Sequence, residues 1–154
     1  MRALLKDADI EVFRKIMDIN FFGTVYCTKL ALDSLIERKG TIVGISSIAG
    51  YRGLPGRSGY SASKFALVAL TRALMIELHD TGVRCALICP GNAPTGFQQR
   101  ADAAKYPRIT RLVDCTSEQV AEATVRAIQR RTATERRSTP SPPRSGAAHA
   151  SGRS

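Results

Sequence analysis

The chain has no tryptophan, only two histidines, and four cysteines that never form a Cys-x-x-Cys pair. Cys27, Cys85, Cys89 and Cys115 are scattered with no histidine cluster near them, so a zinc site has no ligand set and no metal is expected. Reduced, mostly buried thiols are the expected state. No run approaches the ~18 consecutive apolar residues that a membrane span needs. Where a secretory leader would carry its apolar stretch, the N-terminus has Asp7, Asp9 and Glu11. Together these absences lead to the expectation of a cytoplasmic chain without a membrane span.

What is present fits one globular domain: 154 residues, 44% hydrophobic and 23% charged. The net charge of +10 raises the question of an anionic partner. Part of the excess lies at the C-terminus, where Arg136, Arg137, Arg144 and Arg153 face Glu135 alone. No aromatic residue is interleaved with these arginines, which argues against a nucleic-acid role and for a solvated charge run.

Apolar residues recur at three- and four-residue steps over 9–38 (Val12, Phe13, Ile16, Ile19, then Val25, Tyr26, Leu30, Leu35), the pattern of one long helix. Asp9 is its expected N-cap, Gly40 its expected stop, and Asn20-Phe-Phe-Gly23 the expected site of a kink. The β-branched run 41–46 reads as a strand buried on both faces, and the Ser-, Gly- and Pro-rich stretch 47–59 as a loop. A second helix is expected over 60–79, its Phe65, Leu67, Val68, Leu70, Leu74 and Leu78 covering more than one stripe, with Thr81-Gly82 ending it. Residues 83–89 form a second apolar strand, stopped by Pro90-Gly91. Strand, helix, strand is a βαβ unit, which requires a parallel pair and favours a right-handed crossover. After an irregular loop over 92–115, Thr116-Ser-Glu-Gln119 has the capping-box pattern of a last helix. Its apolar stripe is Val120, Ala123, Thr124, Ala127 and Ile128. The expected organisation is an α/β domain over 1–131 and a disordered basic tail over 132–154.

The run SSIAGYRGLPGRSGYSASK ends at Lys64 and carries the chemistry. Tyr60 and Lys64 lie four apart on a helix and therefore share a face. A phenol titrates near ~10, and a neighbouring ammonium favours its ionised form, which makes Tyr60 usable as an acid/base. Ser47, just after a strand, can hydrogen-bond the same substrate oxygen. A Tyr-x3-Lys pair alone arises by chance in roughly one chain in six of this composition, and could be an ordinary exposed helix pair. The weight lies in the combination: the serine ends one strand, the tyrosine opens the crossover helix, and carboxyl ends of parallel strands are where ligands bind in open α/β sheets.

With Asn20 upstream, the order Asn20, Ser47, Tyr60, Lys64 resembles the catalytic set of the short-chain dehydrogenase/reductase family, and the likeness extends from Asn20 to about Thr95. The resemblance implies a partial Rossmann-like, doubly wound parallel sheet, and hydride transfer between NAD or NADP and an alcohol or carbonyl substrate. It implies Tyr60 as the acid/base and Ser47 orienting the carbonyl. Lys64 would favour the phenolate and bind the nicotinamide ribose, and Asn20 would hold a relay water. Pro90-Gly-Asn-Ala-Pro-Thr95 is similar to the family's Pro-Gly-x-(Val/Ile)-x-Thr stretch, so Pro90, Gly91, Ala93 and Thr95 are implied cofactor contacts, with Ala93 in place of the usual branched residue.

The likeness begins about halfway through the family's domain, and no GxGxxG-type loop is present. A truncated form lacking most of its phosphate-binding site is therefore expected, with one sheet edge and some apolar faces uncovered. The two long helices resemble those that pair subunits in the family, so a homo-oligomer is implied. The alternative is a non-catalytic interaction module that oligomerises with full-length relatives.

Overall fold

A computed structural model describes residues 3–93 and 115–130. Asp9 caps the first helix as its position suggests: its carboxylate accepts from Glu11 N at 2.9 Å, and α1 runs Ile10–Met17. The irregularity at Asn20 takes the form of a π turn over Asp18–Phe22, in which Gly23 N–H reaches back to Asp18 O. A π turn takes in one more residue than an α turn without breaking the helix, and the chain runs on as α2 (Gly23–Glu37). That helix ends with Gly40 N–H donating to Leu35 O at 2.8 Å and Lys39 N–H to Ile36 O at 3.2 Å, a Schellman arrangement. Its left-handed residue is Lys39, at φ 51°, and the expected stop, Gly40, comes directly after it. A Cβ on Gly40 would meet Leu35 Cδ2 at 2.5 Å, the far end of a side chain that can move aside.

Strands β1 (Thr41–Ile45) and β2 (Arg84–Ile88) pair in parallel, with Thr41 opposite Arg84 and Ile45 opposite Ile88. The ladder continues past both, through Ser46 N to Ile88 O at 2.8 Å and Ile48 N to Pro90 O at 3.0 Å. The connecting helix α3 (Ser58–Glu77) starts two residues before the expected point, so Tyr60 lies inside its first turn rather than opening it. Strand alternation separates the two faces of the sheet. Gly44 faces α3, where a Cβ would collide with the Thr71 hydroxyl. On the other face, Arg84 donates to Ile128 O at 2.8 Å and Ala127 O at 3.4 Å, the carbonyl end of α4 (Ser117–Gln129), and also to the Thr41 hydroxyl. A cation is well placed at a helix C-terminus. Helices thus lie on both sides of the parallel pair, as a doubly wound fold requires.

The core is small and half polar: Ala49, Leu67, Val68, Leu78 and Val83 are buried with Ser46, Ser47, Ser61, Ser63 and Thr71. Burial of α3 on two sides is seen, against the sheet and against α1, where Phe13 fills the space over Gly59. Of its expected apolar contacts, Leu67, Val68 and Leu78 are buried, whereas Phe65 is exposed. Burial of the strands on both faces is not seen. Apart from buried Gly44 and exposed Ile45, both strands are half-buried, because two strands leave edges and ends open. The thiols also depart from expectation: all four are free, but Cys27 is exposed and the others half-buried. The capping box of α4 forms as expected, with Gln119 N donating to the Thr116 hydroxyl at 3.2 Å and Thr116 N to Gln119 Oε1 at 2.9 Å. Most of the 92–115 loop and the tail lie outside the described residues. Among the described residues no helix is long and apolar enough to cross a membrane, and no cluster of metal-ligating side chains occurs.

Candidate active site

A cleft of about 320 Å³ opens at the carboxyl ends of β1 and β2. Asn20, Ser47, Tyr60, Lys64, Pro90, Gly91 and Ala93 all line it, brought together from the π turn, the end of β1, α3 and the end of β2. Thr95, the remaining implied site residue, lies outside the described residues.

Close approach of backbone to backbone sets the geometry. The 3-10 turn Ile48–Gly50 after β1 packs directly on α3, where a Cβ on Gly50 would lie 2.7 Å from Lys64 O and 2.5 Å from Ser46 Oγ. Only a glycine permits that approach, and the Ser46 hydroxyl uses it to donate to Lys64 O at 3.0 Å. Ser47 Oγ accepts from Ala49 N at 3.2 Å in a buried setting, capping the turn. A hydroxyl oxygen engaged as an acceptor keeps its O–H as a donor, and Ser47 is part of the cleft lining.

Asn20 reaches α3 through a residue that sequence reasoning missed. Its Nδ2 donates to Ser63 Oγ at 3.0 Å, and Ser63 Oγ donates to Tyr60 O at 2.8 Å. Ser63 is 0% exposed. The π turn presents Asn20 to this contact, and its own carbonyl accepts from the Thr24 hydroxyl at 3.1 Å. Lys64 Nζ donates to Ile45 O at 3.1 Å and lies 5.8 Å from the centroid of the Tyr60 ring, within reach of a cation–π contact. Burial lowers the Lys64 pKa from its ordinary value, and the charge of Cys89 partly opposes that shift. Arg57 also lines the cleft and is a further residue the sequence reading did not place there.

A family profile described as short chain dehydrogenase matches residues 2–106. The chain is 41% identical over 109 residues to dehydrogenase/reductase SDR family member 7B of Mus musculus, covering 68% of this chain and 34% of that protein. It is 37% identical over 130 residues to 2-(S)-hydroxypropyl-CoM dehydrogenase 3 of Xanthobacter autotrophicus, covering 77% and 51%. The chain thus spans about a third to a half of the length of the curated relatives it matches. Among solved structures it superposes on ElxO with NADP bound with a TM-score of 0.72 and 27% identity, covering 83% of this chain and 55% of that one.

Proposed function

The chain belongs to the short-chain dehydrogenase family, and on that premise we propose that it carries the catalytic half of an NAD(P)-linked oxidoreductase interconverting an alcohol and a carbonyl compound, with Tyr60 as acid/base. The supporting observation is the meeting of Asn20, Ser47, Tyr60 and Lys64 at one cleft at the carboxyl ends of two parallel strands.

The residues present fit the nicotinamide end of such a cofactor. Among the described residues the Lys64 ammonium donates to Ile45 O at 3.1 Å, and an ammonium has three donors, so it can also serve ribose hydroxyls. Pro90, Gly91, Asn92 and Ala93 line the same cleft. No two glycines of the sequence are separated by a single residue, so no GxGxxG loop is present in these 154 residues. NAD and NADP differ at the far ribose, away from this end. When bound, the nicotinamide supplies or takes the hydride. Tyr60 gives its hydroxyl proton to the carbonyl oxygen, or takes one from the alcohol. Ser47 donates a hydrogen bond to the same oxygen, its orientation fixed by Ala49 N–H. Lys64 places positive charge beside the phenol ring, 5.8 Å from its centroid. Asn20, tied through Ser63 to the backbone of Tyr60, fixes the floor of the site.

Turnover of simple ketones with NADH and NADPH, followed by cofactor absorbance, tests this. Tyr60→Phe is expected to lower the rate by about 10²–10⁴-fold, and an unchanged rate would remove Tyr60 from its role. A second reading, a non-catalytic module that pairs with full-length relatives or with itself, is favoured by the uncovered apolar side chains of α2, where Tyr26 is 63% and Leu30 88% exposed. Co-elution with a full-length relative, without turnover by this chain, would support it.

A further inference from the structure

Lys64 is half-buried, whereas Lys15, Lys29 and Lys39 are exposed. Its Nζ donates to the Ile45 carbonyl at 3.1 Å and lies 5.8 Å from the centroid of the Tyr60 ring. Among the described residues no carboxylate forms an ion pair with it, and no aspartate or glutamate lines its cleft. An amine withdrawn from water without a carboxylate beside it loses part of its preference for the charged form. The Lys64 pKa moves in that direction, lowered by burial with the Cys89 charge partly opposing. An ammonium has no lone pair to share, but the free amine is a nucleophile, and lysines desolvated in this way form Schiff bases with carbonyl compounds. The surroundings suit that addition. The cleft of about 320 Å³ has room for a small aldehyde, Ile45, Ile48 and Leu54 supply apolar wall, and Ser47 and Tyr60 belong to the same lining.

We propose that Lys64 is a covalent capture site for small aldehydes, which it binds as an imine through Nζ. The Nζ lone pair attacks the aldehyde carbon, and the carbonyl oxygen takes up the proton that Nζ gives off, leaving a carbinolamine. That hydroxyl then leaves with a second Nζ proton as water, and the C=N bond forms. One amine and one aldehyde thus give one imine and one water, with no oxidant or reductant. The step needs neither nicotinamide nor hydride, so it does not rest on the oxidoreductase reading above. The ammonium assigned there to the cofactor and the amine that captures aldehyde are two protonation states of one group, so cofactor and aldehyde exclude each other at Lys64.

The test is incubation of the full chain with propanal and cyanoborohydride at neutral pH, followed by peptide mass spectrometry of each lysine. Cyanoborohydride reduces an imine to a stable propylamine and so records where the imine formed. Lys64 is expected to be propylated roughly tenfold faster than the exposed Lys15, Lys29 and Lys39, which serve as internal standards. In denaturing urea that excess is expected to vanish, because it belongs to the cleft. Lys64 labelling no faster than the three standards would overturn the proposal. So would an excess that persists in urea, which would assign it to the local sequence, or a stable mass gain at Lys64 without cyanoborohydride, which would mean a different adduct. Turnover of ketones with NADH or NADPH is read separately. Fast labelling without turnover would uphold the capture site while the oxidoreductase reading failed, and turnover without fast labelling would do the reverse.

Discussion

Helices α2 and α3 are both long and apolar, yet α3 buries Gly59, Ser61, Ser63, Leu67, Val68 and Thr71 while α2 buries nothing. The difference comes from topology. α3 is the crossover between β1 and β2 and has the sheet on one side and α1 with the π turn on the other, whereas α2 packs mainly on the π turn it continues. Half of the α3 core is small and polar. Thr71 Oγ1 donates to Leu67 O at 2.8 Å and Ser63 Oγ to Tyr60 O at 2.8 Å within the helix, while Ser61 Oγ accepts from Leu54 N at 3.2 Å in the preceding loop, so close packing is reached with these hydroxyls hydrogen-bonded. Apolar composition thus marks a surface that wants a partner, and the fold decides which surface receives one inside the chain.

The sharpest way to break that comparison is a pair of truncations. Leu67→Ala is expected to cost about 2–5 kcal/mol, as for other buried leucines, and Leu30→Ala to stay within about 0.5 kcal/mol at monomeric concentrations. Similar urea midpoint shifts for both would refute the contrast. A second pair sharpens it at the site. Gly50→Ala forces the turn off α3 and is expected to cost roughly 1–3 kcal/mol, whereas Gly53→Ala meets nothing within 4 Å and should leave the melting temperature unchanged. Next in size, Arg84→Met removes the donors that hold the end of α4, with an expected loss of about 1–2 kcal/mol. Hydrogen exchange should locate that loss in α4 and not in α3, and uniform loosening would contradict the anchoring role.

The smallest effect is a pH slope. The Lys64 pKa is lowered in the fold, so its contribution is favourable above the unfolded lysine value near ~10.4 and is lost as pH falls through the folded value. Cys85 acts oppositely. Burial raises its thiol pKa, and its contribution is present below the unfolded thiol value and lost as pH rises through the folded one. Lys64→Met is therefore expected to flatten only the rising part of the alkaline stability profile, and a profile identical to the wild type would show that burial of the ammonium carries no cost.

Much of this was legible in residue pattern. The two strands, the crossover helix, the Asp9 cap and the Thr116 capping box follow from periodicity and from side chains that bond local backbone. Seven expected site residues share one cleft because strand ends and a helix start are sequence-local features. What escaped depends on contacts between distant segments. The start of α3 was obscured because Arg57 makes no side-chain cap and Ser58-Gly59 look like loop. Ser63 matters only because Asn20, 43 positions away, donates to it. The strands looked fully buried because their apolar runs describe what they can cover, not how many neighbours this chain supplies.

The π turn at Asp18–Phe22 has one more consequence, for phase. Each residue of an α-helix advances the side-chain direction by about 100°, so the additional residue in the turn sets α2 out of step with α1. Deleting a single residue there would let the two segments merge into one regular helix, with helical content almost unchanged. Every side chain beyond the deletion would nevertheless face a new direction, and the Asn20 amide would no longer be aimed at Ser63. Circular dichroism would record little change in a protein whose cleft had lost its floor.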